Sequence, residues 1–372
     1  MEPIAFSNSI RLSGWQCIGI ALFAVLFTVV TPILWNRVED LALLPDYRVP
    51  RELSDDYWIY ERYAGLAVEQ YDVLVVGDSV VWGEFVNRHE TLAHYLNQST
   101  GGDRFGNLGL NGAHPLALEG LIEHYAAGIA GKKVLLQCNP TWLTSLKSDL
   151  QDVDADINHP RLVPQFSPPI PANKEEISHR LGVLVERRLA LNKWTNHLQQ
   201  AYYRTDVPND IPGWTLKHPY ENPLAPLSRP LPAPDDKRRE DSGPWKKRLL
   251  TPQDFAWVDL DKSLQWRAFQ RLVEVLQQRD NRVFVLVGPF NEHMVTPSSA
   301  PRYQQVKNTI VTWLKEKQLP HLAPEALPSE QYGDASHPLA QGYDTLARLL
   351  REDPHFRSML APRRTGKAYN QP

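Results

Sequence analysis

Cysteine and methionine are nearly absent from this chain of 372 residues, which has two of the first and three of the second. Two cysteines cannot build a disulfide framework. Cys17 and Cys138 are expected to stay unpaired, because Cys17 lies in an apolar run that would put a membrane boundary between them. An oxidising compartment is still open to the chain, since a domain this large folds without disulfides. No Cys–His spacing suits zinc and no glycine-rich loop suits a nucleotide, so neither metal nor cofactor is expected. A net charge of −3 leaves no basic footprint for nucleic acid. The stretch "DVDADINHP" sets Asp152, Asp154 and Asp156 two residues apart. Ile157 and Val163 occupy the positions where a calcium loop needs glycine and glutamate, so it reads as a solvated acidic loop.

Proline, by contrast, is plentiful at 31 residues, in clusters that suggest long ordered loops. From Trp15 to Trp35 the chain runs without a charge. At ~1.5 Å per residue this run spans roughly 30 Å, one bilayer core, with a tryptophan for each interface. A cleaved signal peptide has a shorter apolar region and a small-x-small site, which does not follow here. A single membrane anchor is therefore expected at 15–35, after a tail at 1–14. Arg11 precedes the span while Arg37, Arg48 and Arg51 follow it, so the positive-inside rule does not set its orientation.

Residues 36–70 read as a linker and packing segment. An α/β rhythm then begins with the buried strand "DVLVVGDS", continues through helix, strand and helix to "KKVLLQCNP", and stops at Pro140. The segment 144–252 is rich in proline and charge, with one helical stretch from Ile177 to Tyr203, and is expected to lie as an insertion over the sheet. Its clusters "DDKRRED" and "WKKRLL" read as solvated faces. The rhythm resumes near Leu264 with helix, the strand "RVFVLVGPF" and further helices. Residues 71–352 are thus expected to form one α/β domain, a three-layer α/β/α sandwich on a parallel sheet of about five strands, with a tail at 353–372.

In open α/β sheets ligands collect at the carboxyl ends of the strands. Here those ends carry Gly77-Asp78-Ser79, then "NLGLNG" with Gly109 and Gly112, then Cys138-Asn139-Pro140, and a late loop carries Asp334-Ala335-Ser336-His337. A serine hydroxyl becomes nucleophilic when a base takes its proton, which His337 can do. Asp334, three residues earlier, can hold the imidazole tautomer. The N–H of Ser79, the N–H of Gly112 and the Asn139 amide can receive an oxyanion. Each piece alone has a plainer reading: Ser79 as a helix cap, Asp-x-x-His as a surface loop. Their joint occurrence, in order, favours chemistry. Trp82 and Trp142 follow the first and third blocks and are candidates for a pocket wall, with the core as the alternative. His114 is a candidate at the mouth, with plain surface as the alternative. His293 is a rival base whose nearest carboxylate is Glu292.

The four blocks resemble the SGNH or GDSL hydrolase family over Val73 to Leu350, interrupted by the insertion. That resemblance implies Ser79 as nucleophile, Asp334 and His337 as its partners, and Gly112, not Gly109, as the oxyanion glycine. "QCNP" departs from the family's usual Gly-x-Asn-Asp and leaves the aim of Asn139 open. The anchor, the insertion and the Asn-Pro-Thr-Trp block look like membrane-anchored members that serve O-acylation of cell-surface polymers, such as D-alanine transfer or alginate O-acetylation. The implied function is a serine esterase or O-acyltransferase acting on acyl esters of a cell-surface or periplasmic carbohydrate, beside a membrane-bound O-acyltransferase. The alternative is a catalytically inactive binding or assembly protein of the same fold.

Overall fold

The computed structural model describes residues 12–41, 43–203, 211–222, 224–227, 231 and 238–361. Arg11, Asp235 to Lys237 of the first charged cluster, and residues 362–372 of the C-terminal tail lie outside the described residues. In chain order the elements are α1 (Gly14–Val38), α2 (Tyr57–Gln70), β1 (Val73–Gly77), α3 (Ser79–Trp82), α4 (Leu92–Thr100), β2 (Phe105–Gly109), α5 (Pro115–Tyr125) and β3 (Lys133–Cys138). There follow α6 (Ile177–Arg188), α7 (Ala190–Leu198), α8 (Ile211–Lys217), α9 (Leu264–Gln278), β4 (Arg282–Val287), α10 (Ala300–Glu316), β5 (His321–Leu322), α11 (Ala340–Glu352) and α12 (Pro354–Leu360).

The chain divides into two compact units. The smaller comprises Met1–Ala42 and Leu184–Pro232. In it, α1 is a helix of 25 residues, long and apolar enough to cross a membrane. A capping box opens it, with Ser13 and Gln16 exchanging side-chain to backbone bonds at 3.3 and 2.9 Å. At its far end Glu39 is buried and accepts from Trp35 Nε1 at 3.1 Å and Tyr202 Oη at 2.6 Å, with His197 Nε2 at 2.8 Å. The ring of Trp35 meets the edges of Trp194 and Tyr202. The helical stretch expected from Ile177 to Tyr203 is broken at Leu189, whose extended backbone separates α6 from α7.

The larger unit, Leu43–Val183 with Ala233–Pro372, carries the sheet. The 144–252 segment is thus shared between the units and does not lie wholly with the sheet. All five strands are parallel, in the order β2-β1-β3-β4-β5. The two-residue β5 carries too little pattern to be read from sequence. Strand residues alternate between faces. Val73, Val75, Leu135, Phe284 and Leu286 join one cluster with the apolar faces of α4, α11 and α12. Leu74, Val76, Val134, Leu136 and Val285 point the other way and are fully buried as well, on the side where α5 packs against α2 and α9. Burial on both faces is why these strands read as unbroken apolar runs. The domain also extends past 352, since α12 buries Phe356 and Met359 in the core.

One turn of helix, α3, follows β1 directly, and too few residues are present to stabilise it alone. Its open carbonyls are taken by side chains from distant elements. Tyr343 Oη donates to the Val80 carbonyl, and Asn107 Nδ2 to that of Val81 at 2.9 Å. Arg48, 1 % exposed, donates to the carbonyls of Trp82 at 2.8 Å, Gly83 at 2.7 Å and Val86 at 3.1 Å. Its guanidinium also lies 3.8 Å from the Trp82 ring centroid. A cation at a helix carboxyl end also suits the local dipole. Replacing Arg48 by Met keeps the stem and strands three carbonyls without this donor. We expect a loss of about 3 kcal/mol or more, read as a lower urea midpoint of the full-length protein in detergent.

Candidate active site

The order of strands places a topological switch between β1 and β3. The chain leaves β1 toward β2 on one side and later returns to β3 on the other. A crevice opens at the carboxyl ends of strands at such a point. Into it β1 delivers Asp78 and Ser79, the β2–α5 loop delivers Gly112 and His114, and β3 delivers Asn139.

Ser79 is the first residue of α3, with Asp78 as its N-cap: Asp78 Oδ1 accepts from Val80 N at 2.8 Å. The sequence alternative of a serine cap therefore gives way to an aspartate cap that leaves the serine hydroxyl free. Ser79 Oγ lies 2.8 Å from His337 Nε2. On the other side of the ring, His337 Nδ1 stands 2.8 and 2.9 Å from the two carboxylate oxygens of Asp334. Since a carboxylate only accepts, Nδ1 carries the proton and Nε2 is left to accept from the serine.

The loop holding this pair is fastened at several points. Asp334 Oδ1 accepts from the backbone of Ser336 and His337, each at 2.9 Å. Asn291 Nδ2 donates to the Asp334 carbonyl at 3.0 Å, and Arg248 Nη1 to that of Gly333 at 2.7 Å. Phe85 sets its ring edgewise to His337, 5.4 Å between centroids, with the Arg248 guanidinium 4.6 Å from the Phe85 centroid. Part of "WKKRLL" is therefore built into the support of the histidine loop. Arg239 of the other cluster pairs with Glu84 at 3.6 Å and with Asp241 at 2.9 Å.

Burial disfavours charge on His337, but Asp334, and behind it Asp78 and Glu84, outweigh this and raise its pKa above the ordinary histidine value. For Asp334 burial pushes upward, yet His337 and the two backbone N–H groups bring it down to about 2. Burial dominates at Asp78 and pushes its carboxyl up, against the pull of His337 and the donors around it.

Asn139 is 2 % exposed, and its amide has a single sensible orientation. Its Oδ1 accepts from Thr141 N at 3.0 Å and from Thr141 Oγ1, while Nδ2 donates to Asp78 Oδ2 at 2.7 Å. Nδ2 carries a second N–H beyond this bond, and Asn139 is among the residues that line the cleft. Asp78, Gln137 and Thr141 are the residues the sequence reading missed in this role. The signal available for Asp78 was its place inside the same motif as Ser79. Gln137 accepts from Asp78 N at 3.2 Å, a contact across two strands with no signature in sequence.

The two glycines of "NLGLNG" differ in their constraint. A Cβ on Gly109 would sit 2.3 Å from the Trp82 backbone nitrogen, so close packing dictates that glycine. Gly112 has φ +75°, the left-handed region, and lines the cleft.

The cleft encloses about 310 Å³, and Trp142, Thr144, Lys147, Ser148, Asp156 and Asn158 form its outer wall. Trp142 is thus on the cleft. Trp82 is not: it is 1 % exposed, with its indole N–H on the Val49 carbonyl at 2.6 Å, because the α3 turn points it into the core. His114 lines the cleft but is buried, not a surface histidine, held by the Asn158 carbonyl at 3.0 Å and Gln265 at 3.1 Å, and burial pushes its pKa down to about 4. His293 bonds to the Leu327 carbonyl at 3.0 Å, and Glu292 is engaged with Lys307, which leaves no carboxylate–histidine pair there. Of the acidic loop, Asp154 pairs with Lys174 at 3.0 Å, while Asp156 faces the cleft. Among the described residues no group of three or more His, Cys, Asp or Glu is placed to hold a metal ion. Cys17 and Cys138 are both free.

No protein-family model matches the chain, and no curated protein matches it in sequence.

The electrostatics of the pair can be read directly. His337 is expected to titrate above ~6.5 in the wild type. In Asp334→Asn it is expected to fall, because burial then meets less opposition. Side-chain ¹⁵N chemical shifts followed against pH give both values, and an unchanged midpoint in the variant would contradict the assignment of Asp334 as the dominant raising charge.

Proposed function

We propose that the chain is a membrane-tethered serine enzyme of the SGNH or GDSL kind that transfers acyl groups from esters. The observation that carries this reading is the unbroken path from Ser79 Oγ to His337 Nε2 at 2.8 Å and on to Asp334 at 2.8 Å, at the mouth of a cleft that also holds Gly112 and Asn139. In the proposed reaction Ser79 Oγ attacks the acyl carbonyl as His337 Nε2 takes its proton. Asp334 holds the Nδ1 proton and offsets the charge of the imidazolium. Ser79 N–H, Gly112 N–H and the free N–H of Asn139 receive the oxyanion. His337 then hands its proton to the departing alkoxide, which leaves Ser79 acylated. A second hydroxyl, from water or a sugar, gives its proton to His337 and attacks the acyl-serine; the acyl–Oγ bond breaks, and His337 returns that proton to Ser79 Oγ, which restores the enzyme.

The nature of the cleft supports a short acyl group and a carbohydrate partner. Its volume is at the small end for ligand sites, and its outer wall offers hydroxyl, amide and charged groups with one tryptophan face. The length and apolarity of α1 support a membrane tether; the periplasmic or extracellular side is part of the proposal and follows from the carbohydrate substrate proposed, not from the helix. A membrane-bound O-acyltransferase is the proposed donor of the acyl group. Esterase and O-acyltransferase use the same residues and differ in the second hydroxyl.

The raised pKa of His337 sets a sign for pH. The base must be neutral to accept, so kcat/KM is expected to rise with pH through a limb above ~6.5. Purified full-length protein in detergent, given p-nitrophenyl acetate, tests the reading. Ser79→Ala is expected to lose at least about 1000-fold in kcat. An added oligosaccharide is expected to gain acyl groups by mass spectrometry if transfer dominates. Turnover that is unaffected in Ser79→Ala would leave the inactive binding or assembly protein as the better description.

A further inference from the structure

Outside the Ser79–His337–Asp334 path and besides His114, a buried histidine from the insertion bonds the loop that carries Gly112. His159 is 6 % exposed, with Nε2 at 2.8 Å from the carbonyl oxygen of Asn111. A carbonyl only accepts, so Nε2 carries a proton and donates. The other nitrogen, Nδ1, stands 2.9 Å from Asp55 Oδ1 and 3.1 Å from Tyr57 Oη, groups that hold the ring in this orientation. The backbone beside it is fixed too, since the Asn158 carbonyl is taken by His114.

Asn111 C=O and Gly112 N–H belong to one trans peptide group, in which the two bonds point in opposite directions. Gly112, at φ +75°, is the residue type for which reversal of that plane costs least. Something outside the loop must therefore select one orientation. We propose that His159 is a positioning residue: by donating to Asn111 it fixes the plane of the 111–112 peptide and aims the Gly112 N–H into the cleft. Hydrogen bonding at the carbonyl also polarises the peptide and makes its N–H a stronger donor. This inference rests on the acyl-transfer reading, in which Gly112 meets the oxyanion. It gives the insertion a part in the chemistry without contact with the substrate.

The test uses full-length protein and p-nitrophenyl acetate, with a trifluoromethyl ketone whose hemiketal oxyanion needs the same donors. Gln and Met are similar in length, and of the two only Gln can donate to Asn111. His159→Met is expected to lower kcat about 10-fold or more, change KM less than about threefold, and weaken the ketone in step with kcat. His159→Gln is expected to recover most of both losses. Should the Met variant not fold, His159→Ala is the donorless comparison. Equal losses in the donor and donorless variants, or ketone affinity that does not follow kcat, would reduce His159 to a packing role and overturn the proposal. Ser79→Ala runs alongside. If it is dead while the donorless variant keeps kcat within about twofold, the clamp fails alone; if it is active, the acyl-transfer reading fails and the clamp with it.

Discussion

Everything near the cleft depends on a single turn of helix that cannot hold itself. α3 has four residues, and Ser79 is the first of them. Nucleation of so short a helix is unfavourable, yet the proposed reaction needs Ser79 at a fixed position relative to His337. The conflict is resolved by side chains that reach in from elsewhere. Asp78 caps the amino end, and Tyr343, Asn107 and Arg48 satisfy carbonyls at the other. Those residues come from α11, β2 and the segment after α1, so the position of Ser79 is set by the packed domain and not by its own neighbours in the chain.

The same logic governs the groups around Ser79. Asn139 is oriented from both ends, by Thr141 on its oxygen and Asp78 on its nitrogen. His337 is held by Asp334 in front and by Phe85 and Arg248 behind. Asp78 therefore serves two sides of the cleft, as the cap of α3 and as the acceptor that aims Asn139. Its buried negative charge also favours the protonated form of His337, the form that the proposed reaction generates when Ser79 gives up its proton. Pro140 does not disturb the Asn139 amide, because Thr141 supplies both donors to its oxygen.

Much of the framework was legible because buried parallel strands must be apolar on both faces. β1, β3 and β4 announce themselves as β-branched and leucine runs, and α9 lies where its apolar spacing put it. The joint occurrence of Ser79, Asp334 and His337 in the sequence marks them as candidates to meet, and the structure brings them within hydrogen-bond reach. Other features were illegible for physical reasons. Two tryptophans at equivalent places after a motif have opposite fates, Trp82 in the core and Trp142 on the cleft, because a helical turn follows one block and a 3₁₀ turn the other. α12 was hidden in a proline-containing tail, and the break at Leu189 lies in a stretch whose apolar spacing continues across it.

By itself, then, the sequence determined the apolar span, the α/β rhythm and which residue types with chemistry stand at the strand ends. These follow from local rules: length against bilayer thickness, periodicity against burial, turn residues against strand termini. Only the tertiary structure decided which of those residues meet. Ser79 and His337 are 258 positions apart, and Asn111 and His159 are 48 apart. Hydrogen bonds of about 3 Å between such positions depend on strand order and crossover, on loops that fold back, and on carbonyls that need distant donors. None of these leaves a periodic trace in the chain.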